Sequence, residues 1–240
     1  MHQNVAEDLI TLENILRRVP ATIATADAIS TVAGSIRRAA RTMQRIVGQV
    51  PLPLPRRQGI RPSQAIMDSA TMRFSFAGPP PDGKIEDVET EIQVCIRGRL
   101  QLAIGSVALE DHWRIDTHAD HKYSSQAKEG HPQFHFQRGG HAQDDFSSGP
   151  GFVPGPALKA ADEGWRGLMQ YPGPRVAIVP MCPTAAIDYV LSQHDGRLWR
   201  RLKSDPDYSN LINQCQNRMW SMYSQALLDA NRREKILGYS

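Results

Sequence analysis

Between residues 70 and 138 the chain keeps returning to one pattern, apolar and polar residues in alternation, across gaps too short to hold a crossover helix. Met72, Phe74 and Phe76 alternate with Thr71, Arg73 and Ser75. Val88, Thr90, Ile92, Val94 and Ile96 alternate with Glu89, Glu91 and Gln93. Successive side chains of a strand point to opposite faces, so period two marks a strand with one face buried. Parallel strands need a long crossover, usually a helix, whereas antiparallel strands need only a turn. The segment therefore predicts an antiparallel meander. Its turns are expected at the Gly-Pro-Pro-Pro-Asp-Gly run of 78–83 and at Arg97-Gly98-Arg99, which would lead into a strand over Leu100–Leu109.

Helical periodicity brackets this sheet. Leu9, Leu12, Ile15 and Leu16 make a short helix over 5–19, which Pro20 punctuates. A longer helix is expected from Ala21 to Val47, with Ile29, Val32, Ile36, Met43 and Ile46 as its stripe. Pro51-Leu-Pro-Leu-Pro then favours an extended, polyproline-like linker. Near the other end, Pro183 suits the first turn of a helix to about His194. Asp205-Pro206 reads as a cap and first-turn proline opening a helix to about Lys235. That helix carries the stripe Leu211, Cys215, Met219, Met222 and Ala226, widened by Trp220 and Tyr223.

The expected fold class is α+β, an antiparallel meander sheet flanked by N-terminal and C-terminal helices. Its parts are a helical hairpin over 1–50, a proline-rich linker over 51–66, and an α+β domain over 67–240. Within the last, the sheet spans about 70–138, a Gly/Pro/Ser-rich loop 139–175, and the helices 183–236.

Composition narrows the function classes. Apolar residues at 40% and charged residues at 22% are ordinary for a globular domain, and a net charge of +3 permits an anionic partner without requiring one. Three cysteines far apart, Cys95, Cys182 and Cys215, argue against a disulfide framework or thiolate zinc site and toward a reducing, cytoplasmic setting. No stretch has the ~20 uninterrupted apolar residues of a membrane span, and the first residues lack the pattern of a signal peptide.

The chemistry concentrates in two alternating stretches, His112-Trp-Arg-Ile-Asp-Thr-His118 and His131-Pro-Gln-Phe-His-Phe-Gln137, joined by twelve residues that include His121. His112, Arg114, Asp116 and His118 share one face of the first, and His131 and His135 share one face of the second. A symmetric pairing would set His118 against His131, Asp116 against Gln133, Arg114 against His135 and His112 against Gln137. Three uses of such a face stay open. Two histidines can act as acid and base across a phosphodiester, with Arg114 holding the phosphate by its fork and Asp116 orienting an imidazole. RNA is favoured because its own 2′-hydroxyl serves as nucleophile. Alternatively His118, His131 and Asp116 can hold a transition metal, although the neighbouring guanidinium repels a cation. The same alternation also describes an ordinary solvated sheet face. The metal-free site leads, with no cofactor expected.

Arg114-Ile-Asp116 followed by His131 and His135 resembles, over this stretch alone, the small toxin nucleases of the TumE type. The doubled histidine that follows Arg-x-Asp in that family is absent here. The resemblance implies ribonuclease activity at these four positions. Elsewhere, Arg37, Arg38, Arg41 and Arg45 recur at helical spacing and could track a phosphate backbone. The second functional reading is accordingly a non-catalytic subunit of a complex, binding nucleic acid through these arginines and a protein partner, or a second copy, through its long helices. No P-loop, dinucleotide fingerprint, HExxH or nucleophile elbow occurs.

Overall fold

The structure, a computed structural model, describes residues 1–53, 60, 63–79, 83–103, 105–117, 133–138 and 181–237. Five antiparallel strands follow one another as a meander: β1 (Ile46–Pro51), β2 (Ile66–Ala77), β3 (Glu89–Leu102), β4 (Gly105–Thr117) and β5 (Phe134–Arg138). Helices α1 (His2–Leu16) and α2 (Ile23–Arg41) precede the sheet. After it come α3 (Pro183–His194), α4 (Gly196–Lys203), α5 (Pro206–Leu228) and α6 (Ala230–Leu237). This is the α+β meander with helices on both sides in sequence.

The apolar members of the alternation face the helices. Ile46, Val50, Met72, Phe74, Phe76, Ile92, Val94, Ile96, Leu109, Trp113 and Phe134 are buried, together with Leu9, Leu12, Leu16, Ile29 and Ile36 of the N-terminal helices. Trp113 meets Tyr189 of α3 edge to face, ring centroids 6.3 Å apart, and Phe134 meets Tyr223 of α5 at 5.8 Å. Thr25 of α2 donates its hydroxyl to the carbonyl of Pro51 at 2.7 Å. The helical hairpin and the C-terminal helices thus cover one sheet face, leaving the other to the polar residues.

Several expectations are corrected. The second helix stops at Arg41, not Val47: Met43 takes φ 52°, and Ile46–Pro51 pairs with β2 as a strand. Gly48 within it leaves room for the Phe74 ring, whose Cζ would lie 2.4 Å from an added Cβ. Arg97-Gly98-Arg99 is not a turn but the middle of β3, and the chain reverses between Leu102 and Gly105. At Gly98 an added Cβ would sit 2.5 Å from the Ile66 carbonyl oxygen, so glycine here serves a close backbone approach. The last helix breaks at Asp229, whose carboxylate caps α6 by accepting from the amides of Asn231 and Arg232. A further helix, α4, starts at Asp195, which caps the Arg197 and Leu198 amides. Trp220 is 52% exposed and does not widen the buried stripe, whereas Tyr223 does. The start at Pro183 and the Asp205 cap are as expected. Most of the proline-rich segment and the 139–175 loop lie outside the described residues. No helix among the described residues is long and apolar enough to cross a membrane.

Candidate functional site

Register decides which polar side chains meet. Asp116 of β4 lies opposite His135 of β5, Arg114 opposite Gln137, and Thr117 opposite Phe134. The expected pairings of Asp116 with Gln133 and Arg114 with His135 are therefore wrong by two residues. The face is unchanged, because a shift of two preserves the period-two parity. The partner changes, and with it the chemistry.

Opposition brings His135 Nε2 to 2.8 Å from Asp116 Oδ1, while Arg114 Nε stands 3.1 Å from Asp116 Oδ2. One carboxylate therefore touches an imidazole and a guanidinium at once. Asp116 and His135 are only 7% and 9% exposed, and the Arg114 side chain keeps 33%. At this depth Coulombic attraction is screened far less than at a surface, and a buried carboxylate needs such partners. The 2.8 Å contact is one of proximity between carboxylate and imidazole, and both ring nitrogens of His135 lie buried.

His112 is also buried but stands elsewhere. It lies opposite Cys95 on β3, four residues from Asp116 along β4, hence ~13 Å away at strand rise. Burial holds the Cys95 thiol up at about 12, desolvation first and the Glu110 carboxylate second, so that thiol is no nucleophile at neutral pH. His118, His121 and His131 lie outside the described residues. Among the described residues no group of three or more His, Cys, Asp or Glu side chains is placed to hold a metal.

The polar face extends well beyond the histidines. Gln49, Arg73, Gln93 and Arg114 form one cross-strand row over β1 to β4, and Ser75, Glu91, Asp116 and His135 form the next row over β2 to β5. Exposure is graded along them. Gln49 and Arg73 are exposed, Ser75, Glu91 and Gln93 half-buried, and Asp116 and His135 buried. Alternation in the sequence marks Arg73, Ser75, Glu91 and Gln93 as the polar members of their strands but does not connect them to Arg114 and Asp116. Only their alternation signalled them.

The arginines of the N-terminal helices divide. Arg37, Arg38 and Arg41 are exposed on α2 and make no ion pair among the described residues. Arg45 lies past the helix end, where its guanidinium pairs with Glu89 and donates to the Ser75 hydroxyl at 3.0 Å. It belongs to the sheet face, not to the helix stripe.

No protein-family model, curated protein or solved structure matches this chain.

Proposed function

We propose that the cluster of His135, Asp116 and Arg114 handles a phosphodiester of nucleic acid, RNA in preference, by metal-independent acid–base chemistry. The observation that carries this reading is the shared carboxylate: Asp116 contacts His135 at 2.8 Å and Arg114 at 3.1 Å. An imidazole held against a carboxylate is the usual form of a positioned general base. A guanidinium beside it matches a phosphate better than a cation.

In this mechanism the His135 imidazole takes the proton of a 2′-hydroxyl, and the 2′-oxygen attacks phosphorus. Arg114 stabilises the charge that gathers on the non-bridging oxygens. The P–O5′ bond breaks, leaving a 2′,3′-cyclic phosphate, and the departing 5′-oxygen takes a proton from a second acid. His118 and His131 are the sequence candidates for that acid. His112 has no part in it, standing ~13 Å along the strand from Asp116.

A second reading is supported by the exposed Arg37, Arg38 and Arg41, which occupy one side of α2 with no carboxylate partner among the described residues. A non-catalytic binding role through that helix needs no acid–base pair. The deciding experiment incubates the full chain with labelled RNA and single-stranded DNA in EDTA, beside His135→Asn and an Arg37/Arg38/Arg41→Gln triple variant. The expected result is cleavage of RNA alone, reduced ~10²–10⁴-fold by His135→Asn while RNA binding survives. RNA binding without cleavage, lost only in the triple variant with a smaller salt dependence, would replace the catalytic reading with the binding one.

A further inference from the structure

Beside the buried cluster the same sheet face opens into a groove of about 460 Å³, lined by Gln49, Arg73, Ser75, Glu91 and Gln93 with the backbone of β1. That volume falls in the range of small-molecule sites. Its charges are unusual for this face. Arg45 is paired with Glu89, Arg97 with Glu110, Arg99 with Asp68 and Arg114 with Asp116. Arg73 instead donates from Nε to the neutral Gln49 amide oxygen at 2.8 Å and has no carboxylate partner among the described residues. Glu91 accepts from Gln93 Nε2 at 2.6 Å and likewise has no cationic partner among them. Arg73 and Glu91 are diagonal neighbours across β2 and β3, so they stand ~7–8 Å apart, their Cβ atoms somewhat closer. The groove therefore offers an unneutralised guanidinium and an unneutralised carboxylate at a fixed separation.

A ligand that satisfies both carries an anion at one end and hydroxyl donors at the other. We propose that the groove binds one ribonucleotide unit of a strand, with a phosphate on the Arg73 fork and the ribose 2′-hydroxyl on the Glu91 carboxylate. This rests on the phosphodiester reading of the adjoining cluster and extends it to the neighbouring nucleotide. Arg73 and Arg114 occupy one row two strands apart, ~10 Å between Cα atoms at normal strand spacing. Each side chain is long enough to bring its guanidinium to one of two successive phosphates. Glu91, directly opposite Asp116, then faces the sugar that joins them. Deoxyribose lacks that donor, and a site built to bond a hydroxyl rejects the analogue without it.

The test is binding, kept separate from cleavage. Calorimetry on the full chain in EDTA compares 5′-AMP, 5′-dAMP and a triribonucleotide whose bridging 5′-oxygens are replaced by methylene, which blocks cleavage and keeps every 2′-hydroxyl. Wild type is run beside Arg73→Gln, Glu91→Gln and His135→Asn, with circular dichroism confirming each fold. The expected pattern has AMP binding about tenfold tighter than dAMP and the trinucleotide tighter than AMP. Arg73→Gln should weaken all three at least tenfold, Glu91→Gln should erase the AMP/dAMP difference, and His135→Asn should leave AMP binding unchanged. Equal affinity for AMP and dAMP in the wild type, or wild-type affinity in Arg73→Gln, overturns the ribonucleotide site. AMP binding with no gain for the trinucleotide overturns its place along a strand. If the groove binds as expected while His135→Asn leaves RNA turnover unchanged, the catalytic reading fails and the groove stands.

Discussion

Asp116 shows how much a single opposition can decide. It lies directly opposite Glu91 of β3, and like charges directly opposite in a sheet repel. Arg114, two residues along β4, offsets that repulsion, which ties the electrostatics of the cluster to the exact strand pairing. The alternation of β4 and β5 made the shared face of Arg114, Asp116 and His135 legible in advance. The partner was not legible, because slipping by two residues leaves every side chain on the same face. Gly98 teaches a similar lesson. Flanked by two arginines it reads as a turn, yet the structure uses its missing Cβ to let the Ile66 carbonyl approach. Gly98→Ala should therefore destabilise the fold by ~1–3 kcal/mol, the usual cost of overpacking, and lower the urea midpoint with little change in slope. An unchanged midpoint would mean that β2 yields at its irregularity between Met67 and Ser69 at no cost.

At the scale of elements, the strand that escaped sequence reading is β1. Ile46 continues the stripe of Ile36 and Met43 at helical spacing, and a run of only six residues carries too little alternation to outvote it. Pairing with β2 settled the matter, since Ile46 and Val50 bury fully only as alternate residues of a strand. The helices α3, α4 and α5 owe their mutual placement to Asp188. Its Oδ1 accepts from the Trp199 indole at 2.8 Å and from the Tyr208 hydroxyl at 3.0 Å. Burial first, then the Asp188 charge and this hydrogen bond, push the Tyr208 phenol well above its ordinary range, so it stays a donor. Asp188→Ala should cost ~2–4 kcal/mol, because two donors in or near the core lose their acceptor. Chemical denaturation would measure the loss, and altered Trp199 fluorescence would localise it. A midpoint equal to wild type would show that α4 docks through Leu198 and Leu202 alone.

Across the whole molecule, stability should rise from acid to neutral pH for two separable reasons. Burial, with the Met1 ammonium adding to it, holds the His2 imidazole below its ordinary 6.5. The unfolded chain then binds a proton that the folded one refuses, so this contribution is lost as pH falls below about 6.5. The Glu86 carboxyl is held below 4.5 chiefly by the Arg232 fork, whose contacts of 2.6 and 2.7 Å secure α6 to the segment before β3. That contribution is present above 4.5 and disappears as pH falls through the lowered value. The melting temperature should therefore decline from pH 7.5 to 5.5 and again below 4.5. His2→Gln should flatten the first limb and Glu86→Gln the second; a flat wild-type profile over either interval would contradict the corresponding assignment. What the sequence by itself determined was the class of fold, the kind of most elements and the face to which each residue of β2 to β5 belongs. Those properties are local, written in periods of two and 3.6 and in caps a few residues long. Tertiary structure alone decided the β4–β5 register, the end of α2, and the burial of Asp116 and His135. These depend on which surfaces meet, and residues far apart in the chain, not their neighbours, supply the energy that selects them.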